Sequence, residues 1–340
     1  MTDYSNGGVV GVRNLINTDI LKTNFFKDNF SDFYNNLECK YLDEKEFTDH
    51  FKNSPTNFLA LSMNIRSLPN KFVDLNNLLD RYKVKNVISD LLCIQETWQS
   101  DLLSLNINNY SLFSAVRSPG ARGGGVCIYL NDLYHGSVLN ESIFIENTFE
   151  SLAVKIVIPG VGQQIAVCLY RPPSASNDLF FNTLAKLLDS LRVYGIPIYI
   201  YTDINLDLMQ VSADPLVSRM VNIFTSFSYV NYITKCTRFD DSSGSRKCID
   251  HIWSTEDPIN IESTGICIDA LADHFIAAVC SKLEKSKKPP KKETFSRSFS
   301  DINVEKFREA LAGISFSSIG AKVADSLPTL NRGTSFRDYL

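Results

Sequence analysis

From Phe58 onward, short apolar runs of strand length recur along the chain: FLALSMNI, DLLCIQE, GGVCIYL, SLAVKIVIP, QIAVCLY, IPIYIYTD and HFIAAVCSKL. Their length and composition predict sheet strands. Between some of them lie PNKFVDLNNLLDRYKV and NDLFFNTLAKLLDSLRVYG, which start near Pro or Asn and carry apolar residues at three- and four-residue spacing. That spacing predicts helices. Runs such as SLAVKIVI alternate only partly, as expected of strands covered by another sheet on one side and by helix or solvent on the other. The pattern therefore predicts two sheets face to face, flanked by helices.

The two flanks read differently. Residues 1–56 are polar, Asn-rich and acidic with short Phe and Leu clusters, which predicts a weakly ordered lead-in without chemistry. The main domain is expected over 57–283. Residues 284–340 read as a basic linker and tail, with a short helix near 303–312. Within 282–297, seven Lys or Arg stand against two Glu, a local charge of +5.

Composition narrows the function classes. At 340 residues and 44% hydrophobic, the chain has enough apolar material for a sizeable core. A net charge of −4 gives no global basic field, so nucleic-acid contact has to come from local patches of Lys and Arg. Eight scattered cysteines form no Cys-x-x-Cys pair and sit mostly in apolar runs. They read as small buried hydrophobes in a reducing compartment, not as zinc or redox sites. The opening MTDYSNGGVVGVRN lacks the features of a signal peptide, and no apolar stretch is long enough to span a bilayer. The expectation is a soluble intracellular protein with no membrane partner.

Several polar side chains fall where an apolar strand ends: Asn64, Glu96, Tyr170, Asp203 and Asn205. A strand end gives a rigid base, and the loop after it leaves room for a ligand. Singly, each also reads as an ordinary solvated, turn or edge residue. Three of the four histidines follow an aspartate, and two of these pairs, Asp250-His251 and Asp273-His274, lead into an apolar run.

The ordered blocks SMNIRSL, CIQETW, RGGGVCIYL, LYRPP, YTDINLDL, KCTRF, IDHIW and ADHF resemble the endonuclease/exonuclease/phosphatase superfamily. The chain is most similar there to the apurinic-endonuclease-like domain of non-LTR, LINE-type retrotransposons. The resemblance implies an α+β fold, the DNase I-like four-layer α/β/β/α sandwich, with the active site at one end. It implies a Mg²⁺ cofactor, with Mn²⁺ able to substitute, held by Glu96 with Asn64 and Asp273. It implies His274 as the catalytic histidine, oriented by Asp250, with Asp203 and Asn205 positioning the attacking water and Tyr170 on the phosphate. Whether Asp203 or His274 takes the proton stays open. DNA is the implied partner, nicked in the nucleus to leave a 3′ hydroxyl for a reverse transcriptase of the same element. Alternatives are another phosphodiesterase or phosphatase of the fold, acting on RNA or a phospho-headgroup, and an inactive remnant that only binds.

Three positions depart from the family pattern. Thr202 replaces a Gly, Ala272 replaces a Ser, and Arg66 stands where abasic-site repair enzymes carry an acid. For DNA phosphates, Arg66, Arg117, Arg122, Arg171, Arg238 and Arg246 are the expected contacts.

Overall fold

The computed structural model describes residues 38–52, 56–98, 105–240, 243–269 and 271–283. The expected basic linker and the helix near 303–312 lie outside the described residues. The first strands are β1 (Lys40–Leu42), β2 (Asn57–Asn64), β3 (Leu91–Gln95), β4 (Tyr110–Ala115), β5 (Val126–Asn131), β6 (His135–Val138), β7 (Phe144–Ile145) and β8 (Phe149–Ile158). They continue with β9 (Gly162–Tyr170), β10 (Ile198–Asp203), β11 (Val230–Asn231), β12 (Arg238–Asp240), β13 (Ser245–Lys247), β14 (Asp250–Ser254), β15 (Ile261–Cys267) and β16 (Ile276–Lys282). The helices are α1 (Glu44–His50), α2 (Leu68–Val84), α3 (Asn177–Leu191) and α4 (Pro215–Ser226).

Two large sheets form. One runs β1-β15-β16-β2-β3-β5-β4, the other β11-β14-β10-β9-β8-β6 with β7 on β8, and β12 and β13 make a small separate hairpin. Alternate side chains sort the strands into layers. Phe58 and Ala60 of β2 join Cys168 of β9 and Tyr199 and Tyr201 of β10 in a core between the sheets. Leu59, Leu61 and Met63 point the other way, onto α2 residues such as Leu75 and Leu78. Ile198 and Ile200 of β10 likewise pack on Leu184 and Leu188 of α3 and Phe224 of α4. The result is a four-layer α/β/β/α sandwich, as the apolar pattern and the resemblance implied. Burial on both faces explains why the central strands read as nearly continuous apolar runs.

Two features correct the sequence reading. Residues 40–50 are not a weakly ordered lead-in: β1 pairs in parallel with β15, and Asp43 and Glu46 close a capping box on α1. A three-residue strand has too little pattern to be seen locally. Helix α4 was also missed, although Asp214 caps it by accepting from Leu216 N and Pro215 opens it. Among the described residues, no helix is long and apolar enough to cross a membrane. All eight cysteines are buried.

Candidate active site

The registers of three neighbouring strands set the site. Asp203 ends β10 opposite Tyr170 of parallel β9 on one side and Asp250 of antiparallel β14 on the other. In the first sheet, Asn64 of β2 lies in register with Gln95 of β3, so Glu96 follows at the same rim. Asn64 joins the two sheets: its Nδ2 donates to Glu96 Oε1 at 2.7 Å and to Asp203 Oδ2 at 2.7 Å. Burial, with Glu96 and Asp203 nearby, pushes the Tyr170 phenol pKa up. Asn205 takes the left-handed conformation that Asn tolerates, donates its backbone N–H to Asp203 Oδ1 at 3.1 Å, and donates Nδ2 to Arg171 O at 2.9 Å.

His274 arrives from the loop before β16, bridged to Arg238 and tied by Phe275 N to Thr237 O. Its Nδ1 donates to both oxygens of Asp250 at 3.0 and 2.9 Å. Burial alone would lower the imidazole pKa, but Asp250, with Asp203 and Asp273 nearby, raises it to about 9. The imidazolium is therefore the form present at neutral pH, and its Nε2–H is not engaged by Asp250. Asp203 is fully buried, and burial followed by repulsion from Asp250 pushes its carboxyl up to about 7.

Asp273 sits between two guanidiniums. Its Oδ2 accepts from Arg66 Nη1 at 2.9 Å and from Arg238 Nε at 3.0 Å. Burial works against the charge, yet His274 and the two arginines hold its pKa below the usual carboxylate range. Its Oδ1 is buried with no hydrogen-bond partner.

These groups fit a hard divalent cation. Glu96, Asn64 and Asp273 offer oxygen atoms, and the orphaned Asp273 Oδ1 is an acceptor that a cation would satisfy. Asp203, Asp250 and His274 also place ligand atoms within 4.8 Å of one another. That trio is already joined internally by the His274–Asp250 bonds, which suits proton handling better than metal ligation.

Solved structures share the fold that carries this site. The endonuclease domain of TRAS1, a telomere-specific non-LTR retrotransposon, superposes with a TM-score of 0.53 at 12% identity, over 67% of this chain and 100% of that one. The AP endonuclease LMAP of Leishmania major matches with a TM-score of 0.57 at 11% identity, over 82% and 99%. This is the endonuclease/exonuclease/phosphatase fold. The Xenopus laevis APE2 catalytic domain shares it, with a TM-score of 0.52 at 15% identity over 68% of this chain and 95% of that one. No protein-family model and no curated protein matches the sequence. At these identities the likeness carries the fold, and chemistry has to be argued from the side chains.

The expected residues divide accordingly. Asn64, Glu96, Tyr170, Asp203, Asn205, Asp250, Asp273 and His274 gather at one rim through the contacts above. Among the arginines, Arg66 and Arg238 join them through Asp273, and Arg122 is exposed. Arg246 lies on the hairpin, over Phe239, and lines a cleft of about 430 Å³ that also includes Asn205 and Lys247. Arg117 and Arg171 are corrections. Arg117, 8% exposed, is bound to Glu150 at 2.7 Å, and Arg171, 3% exposed, donates to Ile204 O, Ala175 O and Asn177 Oδ1. Both hold loops from beneath and cannot reach a phosphate.

The departure at Thr202 is absorbed. Thr202 is an ordinary strand residue without a positive φ, and its Oγ1 donates to His251 O at 3.3 Å. Residues passed over in the sequence are Thr237, whose Oγ1 accepts from Asp250 N at 3.0 Å, and Trp98, whose Nε1 donates to Glu96 Oε2 at 2.7 Å. Both lie inside the quoted blocks KCTRF and CIQETW, which was the available signal.

Proposed function

We propose that this chain is a Mg²⁺-dependent DNA endonuclease that hydrolyses a phosphodiester bond and leaves a 3′ hydroxyl. The observation that carries the reading is the buried trio Asp203, Asp250 and His274, whose ligand-capable atoms lie within 4.8 Å of one another, with Asn64 tying Asp203 to Glu96 at the same rim. The neighbours with this fold include the endonuclease domain of a non-LTR retrotransposon and AP endonucleases.

The division of labour follows from protonation. A carboxyl near 7 is largely ionised at mildly alkaline pH and accepts a proton from water, so Asp203 is the general base. His274, positively charged below about 9, donates from Nε2 to a phosphate oxygen and offsets the charge of the pentacoordinate transition state. Asp250 keeps the ring oriented and charged. Tyr170 adds a hydroxyl at the same phosphate, while Asn64 holds Asp203 and Glu96 at fixed separation. A bound divalent cation would supply Lewis-acid charge to the phosphate and the departing 3′ oxygen. Water oxygen bonds to phosphorus as the bond from phosphorus to O3′ breaks, and no protein nucleophile is needed.

The 3′ hydroxyl so produced suits priming by a reverse transcriptase in the nucleus, and that is the setting we assign. The test is conversion of supercoiled plasmid to open circle with Mg²⁺, followed by polymerase extension from the nick. Glu96→Gln and His274→Ala should each lower the rate by roughly 100-fold or more. Equal nicking by all three proteins would sink the assignment, and a nick that cannot be extended would refute the 3′ hydroxyl.

A further inference from the structure

Among the described residues, the exposed large apolar side chains are aliphatic and lie on helices, turns or an edge strand, except one. Trp98 is 41% exposed at the active-site rim. It is also held there deliberately. Glu96 and Trp98 both take positive φ, 54° and 56°, which costs a non-glycine residue about 1–3 kcal/mol each unless neighbours impose it. Neighbours do: Thr97 N donates to Gly125 O at 3.2 Å, Trp98 N to Gly124 O at 2.9 Å, and Leu68 N to Thr97 O at 3.0 Å.

The ring is fixed by its edge. Nε1 donates to Glu96 Oε2, and a side chain at Gly123 would lie 3.8 Å from that nitrogen. The Arg66 guanidinium lies 6.0 Å from the ring centroid and is itself anchored on Asp273, which Arg238 also grips. A flat ring thus stands beside one cation, Arg66, with Arg238 joined to that cation only through Asp273. Burial against the rest of the fold does not explain its place, since its edge contact could be made by a smaller donor.

We propose that Trp98 is a nucleobase platform, and that the preferred DNA has an unstacked base adjacent to the scissile phosphate. An aromatic face accepts any base by stacking, while the adjacent Arg66 guanidinium takes a neighbouring phosphate. A base inside a regular duplex is already stacked on its neighbours, so the site favours single-stranded, mismatched or easily kinked positions. This rests on the endonuclease reading for its phosphate site, and it adds which DNA that site takes.

The chain has two tryptophans, and the other, Trp253, is 1% exposed and stacked on Phe224 at 4.4 Å. Quenching of tryptophan emission by DNA therefore reports Trp98. The full-length protein, in EDTA and low salt, is titrated with a labelled single strand, a mismatched duplex and the matched duplex, following emission and anisotropy together. Single-stranded and mismatched DNA should quench more than matched duplex, and Trp98→Phe should abolish the quench while binding within about threefold of the parent. Trp98→Ala should weaken single-strand binding roughly 5- to 150-fold. In the Mg²⁺ assay, Trp98→Phe keeps a ring but loses the N–H to Glu96, so kcat falls with KM little changed, whereas Trp98→Ala raises KM too. Binding seen by anisotropy without quenching, or Trp98→Ala binding like the parent, overturns the platform and leaves the endonuclease reading standing. Failure to bind any of the three DNAs overturns both.

Discussion

Glu150→Ala tests how the two sheets hold the metal-side loop in place. Glu150 belongs to the second sheet, is fully buried, and binds Arg117 Nε at 2.7 Å from the first sheet's loop. It also accepts from Gly125 N at 2.6 Å and Asn147 N at 3.1 Å. Removing the carboxylate leaves a buried guanidinium without its counter-charge, a loss of about 3–5 kcal/mol. The two stranded N–H groups belong to the same network, so their cost of ~1–3 kcal/mol each overlaps with that figure and does not add to it. Against a domain stability of about 5–15 kcal/mol, the variant should stay folded but fall visibly. Arg117→Met combined with Glu150→Leu removes both charges and should recover part of the loss, leaving ~1–3 kcal/mol for the backbone donors. Urea unfolding of the parent, Arg117→Met, Glu150→Leu and the double gives the coupling directly. Because the Gly124 and Gly125 carbonyls hold Trp98 and Thr97 around Glu96, the nicking rate of folded Glu150→Ala should also drop. A Glu150→Ala protein within ~0.5 kcal/mol of the parent and with full activity would refute the argument, since that is the range of an inconsequential surface change.

Two further outcomes follow from single positions. With Asp203 titrating near 7 and His274 near 9, nicking should rise through the first pH and decline through the second, and Asp250→Asn should move the alkaline limb to lower pH; a limb that stays put would separate His274 from it. The linked stability has a definite sign: because the folded pKa of His274 exceeds its ordinary 6.5, its contribution is complete below that value and is lost as pH rises through about 9. Gly124→Ala should cost upwards of ~2 kcal/mol, because its Cβ would collide with the Arg117 guanidinium and its φ is +65°, whereas Gly160→Ala, at φ +75° in open space, should cost only ~1 kcal/mol. Equal melting temperatures for the two glycine variants would contradict this.

What could be read in the sequence was local, and what could not was set by partners far along the chain. Asn64, Glu96, Tyr170 and Asp203 stood out because a polar residue that ends an apolar run is visible within a few positions. Their alignment was not visible, since it depends on Asp203 pairing with Tyr170 and Asp250 in two separate registers. The arginines show the same limit from the other side. Arg117 and Arg171 carry the same letters as Arg66 and Arg238, but Arg117 meets its carboxylate 33 positions later and Arg171 is taken up by carbonyls of two loops. Strand β1 was missed because three residues carry no period, and only its parallel partner near Gly265 makes it a strand. Trp98 followed Glu96 in plain sight, yet nothing local says whether an aromatic three residues past a strand turns inward or outward. Here two left-handed residues, fixed by the carbonyls of a glycine loop that Glu150 anchors from the other sheet, turn it outward. The Glu96 carboxylate and the Trp98 ring are therefore positioned by one cross-sheet network, and a change at Glu150 should perturb both at once.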